Sequence, residues 1–72
     1  MRSFDDDAGS HWQAALLEAS FGNVLVIFSR IGGDGALHAP LHSANLHEAE
    51  QLLADADEAQ LRTWLAGAKA WP

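Results

Sequence analysis

The chain contains no cysteine. That removes disulfides and every thiolate-based zinc pattern, and it leaves oligomerisation as the usual reinforcement open to a domain of this size. Cations are scarce as well. Arg2, Arg30, Arg62 and Lys69 stand against ten Asp and Glu, for a formal net charge of −6. Affinity for a nucleic-acid backbone comes from several Lys and Arg contacts that release counterions, and four scattered cations make no such patch. The same shortage disfavours binding to a membrane surface, whereas a partner protein with a basic surface is electrostatically suited. Long apolar runs are missing too. The longest bulky one is Val24 to Phe28, far short of the ~20 residues that span a bilayer. Met1-Arg2 leads into Asp5, Asp6 and Asp7 in place of an apolar signal region. These absences point to a soluble, cytoplasmic protein.

What is present is a thin core. Apolar residues make up 49% of the 72, an ordinary globular share, but fourteen of them are alanine. The bulk rests on Phe4, Trp12, the Val24 to Phe28 run, Ile31, the leucines, Trp64 and Trp71. One domain of this length buries only about 60% of the surface its unfolded chain exposes.

Three capping patterns predict three helices. Ser10 stands before Gln13, Asn45 before Glu48 and Asp57 before Gln60, each at the spacing of a capping box. The first helix is expected over 10–20, with Trp12, Ala15, Leu16 and Ala19 on one side and Gly22 ending it. The second, over 46–54, carries Leu46, Ala49, Leu52 and Leu53 at helical spacing. The third, over 58–67, carries Leu61, Trp64 and Leu65. Residues 1–9 form an acidic N-terminal segment, expected to be disordered and solvated.

Between the first two helices, 23–42 predicts a β-hairpin about the Gly-Gly-Asp-Gly run at Gly32 to Gly35. A primed turn at Gly33-Asp34 would set Phe28 opposite Ala39 and Val26 opposite Leu41. Val24, Val26, Phe28, Leu37, Ala39 and Leu41 then share the face that packs on the helices. Leu25 and Ile27 form an apolar centre on the other face, bordered by Ser29, His38 and His42. Nothing within the chain is expected to cover that side. The predicted fold is therefore α+β, a single small α-β-β-α-α domain whose hairpin packs against short helices and is completed by homodimerisation. In that dimer the first strand pairs with its equivalent in a second copy, or the open face stacks on one.

Sites of chemistry are hard to build from these residues. His38 and His42 lie four residues apart on a strand, about 13 Å, and cannot share an ion whose ligands sit at about 2 Å. The glycine-rich run leads into a strand, not into the helix N-terminus that a phosphate loop requires. Asp5 to Asp7 lack the spaced oxygens of a calcium loop. No nucleophile elbow surrounds Ser43. No catalytic residue, metal ligand or cofactor site is assigned, and the chain is not expected to be an enzyme.

The expected function is a small acidic homodimeric protein-interaction module or regulatory adaptor. Its contact residues are Leu25, Ile27, His38 and His42, with Trp71 as an accessory anchor. Histidines bordering such a contact change charge near neutrality, so assembly is expected to weaken on acidification. The alternative is a dimeric nucleic-acid-binding regulator. From Ala36 on, the order strand, helix, helix is similar to that of ribbon-helix-helix repressors, whose paired strands enter the major groove. Here His38, Pro40 and His42 would stand where base-reading Arg, Lys, Asn or Gln are wanted.

Overall fold

Within segment 10–20, expected as a helix, His11–Glu18 form a β-strand. In the computed structural model of the chain, which describes residues 1–19 and 23–70, the elements are β1 (Arg2–Asp5), β2 (His11–Glu18), β3 (Val24–Arg30), β4 (Ala36–Leu41), α1 (Leu46–Asp55), α2 (Glu58–Ala66) and β5 (Lys69–Ala70). The α+β class holds. The α-β-β-α-α order does not: the five strands form one antiparallel sheet in the order β1-β2-β3-β4-β5, with both helices late in the chain.

The reason for the first correction is tertiary. Ala14, Ala15, Leu16, Leu17 and Glu18 are all good helix formers. Yet Trp12, Ala14 and Leu16 also alternate, and alternation wins because β2 can pair on both sides, Phe4 with Trp12 across to β1 and Ala14 with Phe28 across to β3. Ala14 has no exposed surface. Its small side chain lets Phe4 and Phe28 meet over β2, ring centroids 6.0 Å apart and edge to face.

Ser10 caps no helix. Asp6 instead organises the β1–β2 turn, its Oδ1 accepting the backbone N–H of Ala8 at 2.9 Å and of Ser10 at 2.8 Å. Its Oδ2 accepts the Trp12 indole N–H at 2.8 Å. Gly9, at φ 86°, takes the left-handed position that ends such a turn. Polar residues that cap helices also close turns, by the same side-chain to backbone bonds. The segment 1–9 is consequently built into the fold, with Phe4 in the core at 4% exposure.

The β3–β4 hairpin forms as expected, with its register slipped by two residues: Phe28 pairs with Leu37, Val26 with Ala39 and Val24 with Leu41. The turn explains the slip. Positive φ falls at Gly32 (79°), and Gly33 N–H donates to the Arg30 carbonyl at 3.3 Å, so the chain bends one step earlier than a turn centred on Gly33-Asp34. A slip of two leaves every side chain on its expected face.

Both later helices start at their expected caps. Asn45 Oδ1 accepts from the Glu48 amide and Asp57 Oδ1 from the Gln60 amide, each at 2.8 Å. Ala49, Leu53, Ala56 and Leu61 face the sheet and join Phe4, Ala14, Val24, Val26, Phe28, Ala39 and Leu41 in one core. Phe28, Leu61 and Val26 are fully buried, each side chain contributing about 1.5–3 kcal/mol by leaving water. Two arginines fasten the helices to β1. Arg2 Nη1 donates to the Leu53 and Ala54 carbonyls at 2.8 and 2.9 Å, at the negative end of α1. Arg62 Nε donates to the Asp5 carbonyl at 2.7 Å, while its Nη2 meets Glu58 at 2.9 Å. Gly67 ends α2, and Lys69–Ala70 turn back to pair with Leu37 and His38 of β4.

Candidate functional site

The helices cover one face of the sheet. On the other, alternation places the odd-numbered residues of β2 and β3 and the even-numbered residues of β4. Register aligns them in two rows: Ala15, Ile27, His38 and Lys69 across β2 to β5, then Leu17, Leu25 and Pro40 across β2 to β4. Ala15, Leu25, Ile27 and His38 are half-buried by their neighbours in the sheet, Pro40 is exposed and Leu17 is 41% exposed. An antiparallel sheet with one face in water ordinarily shows polar residues there. These rows hold no carboxylate, in a chain with ten.

Charge is displaced to the edges and is unlike on the two sides. Asp5 on β1 lies against the His11 imidazole, with Asp5 Oδ1 and His11 Nδ1 in contact. Lys69 on β5 stands next to His38. The surface is thus an apolar centre with an acidic group toward one edge and a basic one toward the other.

Leu25, Ile27 and His38 are brought together as expected. His42 follows the end of β4 and is exposed; with Leu25, Pro40 and Ser43 it lines a depression of about 430 Å³ at the margin of the surface. Trp71 lies outside the described residues. The structure adds Ala15, Leu17 and Lys69. The first two were hidden by the helical reading of 10–20, although period-two spacing of Gln13, Ala15 and Leu17 is present in the sequence.

One expected mode of pairing is corrected. β3 is bonded to β2 on one side and β4 on the other within the same chain, so its backbone cannot pair with an equivalent strand in a second copy. β4 likewise has β3 on one side and β5 on the other.

The Asp6 carboxyl is held below its ordinary value of 3.8, first by the Trp12 indole N–H and then by the backbone N–H of Ser10 and Ala8. Its role is structural: it fixes the turn that carries β1, and β1 carries Asp5. Among the described residues no helix is long and apolar enough to cross a membrane. No family model, curated protein or solved structure gives a significant match to this chain.

Proposed function

We propose that the chain is a non-catalytic protein-interaction module that works as a homodimer, two copies stacking through the open face of the sheet. The observation that carries this reading is the carboxylate-free apolar patch of Leu17, Leu25, Ile27 and Pro40 across three central strands. A second copy fits it because it offers the same carboxylate-free apolar centre. A two-fold axis running along the strands lays β1 of one copy over β5 of the other, so that the two apolar centres meet and no carboxylate is buried between them.

Size sets the expected affinity. A sheet about 20 Å wide and about 20 Å along its strands offers roughly 400 Å² of flat area per copy. Even with side-chain relief this falls at or below the low end of stable interfaces, about 1,200 Å² in total. The dimer should therefore be micromolar and exchanging. Sedimentation over a dilution series tests it: the wild-type mass should fall from dimer to monomer across micromolar concentrations, and Ile27→Asp should stay monomeric with unchanged secondary structure. A wild type that remains monomeric at near-millimolar concentration refutes the reading.

A further inference from the structure

A second apolar surface adjoins the open face, meeting it at Pro40 and His42. Leu52 on α1 is 38% exposed. It lines a groove of about 450 Å³ with Trp64 and Thr63 of α2 and with Pro40, Leu41 and His42 at the end of β4. On α1, Glu48 and Asp55 stand four residues before Leu52 and three after it, on the same stripe of the helix. Among the described residues neither carboxylate has a salt-bridge partner. Cations are not at hand to neutralise them. Arg2 is committed to the α1 carbonyls, Arg62 to Asp5 and Glu58, Arg30 lies near Asp6 of the β1–β2 turn, and Lys69 sits on β5, beside His38 of the open face.

We infer that this groove binds a short basic segment of another protein, a large apolar side chain seated between Leu52 and Trp64 and flanking Lys or Arg paired with Glu48 and Asp55. The inference rests on the module reading above but not on its dimer. Charge decides the occupant. An acidic segment meets both carboxylates and a chain of net charge −6, whereas a basic one gains from each. The apolar lining supplies the contact area, and aromatic Trp64 is the side chain best suited to anchor it. A competing occupant is the Arg30-Ile31 turn of a second copy, since Ile31 is 50% exposed beside a cation. That contact would join unlike surfaces and propagate beyond a dimer.

The test is an NMR titration of the full chain with an amidated Lys-Lys-Leu-Leu-Lys-Lys peptide and with its Glu-for-Lys counterpart. The basic peptide should shift the resonances of Leu52, His42 and the Trp64 indole, and the acidic one should bind about tenfold more weakly or not at all. Leu52→Ala, an exposed position that tolerates alanine, should weaken binding about threefold or more. The double variant Glu48→Gln/Asp55→Asn should weaken it similarly and flatten its dependence on salt. Leu17→Asp, on the open face, should abolish self-association and leave peptide binding intact, which separates the two proposals. Equal binding of both peptides, no shift at millimolar peptide, or indifference to Leu52→Ala and to the double variant overturns the inference. So does mass growth beyond a dimer that Leu52→Ala abolishes, because the groove would then hold a second copy.

Discussion

Val26 and Ile27 are neighbours in β3 and point in opposite directions. Val26 is 1% exposed beneath the helices, and Ile27 is half-buried on a face no helix covers. Both faces are apolar, yet among the described residues a helical layer covers only one of them. A strand flanked on both faces loses the polar alternation that marks a solvent-facing side. The Val24 to Phe28 run carries that signature, and on the dimer proposed above its outward half is covered by a second copy. If the proposed dimer forms, stability and association should be separable properties of these adjacent side chains.

The sharpest way to break this comparison is to mutate across it. Phe28→Ala empties a fully buried site and should cost about 3–5 kcal/mol. A chain of this length has only about 4–11 kcal/mol in all, so urea denaturation should find the variant's midpoint far below that of the wild type at any protein concentration. Ile27→Asp gives up a half-buried side chain and some strand propensity and should cost about 1–2 kcal/mol, well short of Phe28→Ala. If it lowers the midpoint as far as Phe28→Ala does, the two faces are not distinct.

A milder perturbation loosens only the covering layer. Asn45→Ala or Asp57→Ala removes the bond to an amide in the first turn of α1 or α2. Each should lower the unfolding free energy by about 1 kcal/mol, read from the urea midpoint, with the dimer dissociation constant unmoved. A cap variant that also weakens association would show that the helix layer and the open face are coupled.

The smallest effect is expected from acid. Because the folded Asp6 carboxyl lies below its ordinary 3.8, its contribution is complete above the unfolded value and is lost as pH falls through the lower folded one. Stability should therefore drop below the ordinary aspartate range, reported by Trp12 fluorescence as the β1–β2 turn loosens. Asp6→Asn keeps an acceptor for the backbone amides but does not titrate, and should flatten that limb of the pH profile. An unchanged limb would remove Asp6 from the account.

Much of the architecture was legible in the sequence, and for local reasons. The starts of α1 and α2 followed from Asn45 and Asp57, whose side chains accept the amides that the spacing assigned to them. The faces of β3 and β4 survived a two-residue slip because side-chain alternation has a period of two. The misreading of β2 has the opposite cause. Ala14 to Glu18 prefer a helix locally, and only pairing with β1 and β3, distant in sequence or hidden in an acidic segment, decides otherwise. β5 is two residues long, too short for any pattern. The candidate surface inherited both limits: Leu25, Ile27 and His38 were readable, whereas Ala15, Leu17 and Lys69 depend on the two strands that were not.

The most direct measurement is relaxation of side-chain methyl signals by a water-soluble paramagnetic agent, at protein concentrations well below and well above the dimer midpoint. Val26 methyls should be shielded at both. Leu25 and Ile27 methyls should be relaxed strongly in the dilute sample and shielded in the concentrated one. If Leu25 and Ile27 are relaxed equally in both samples, no second copy covers that face; if they are shielded even in the dilute one, the single chain covers it by itself.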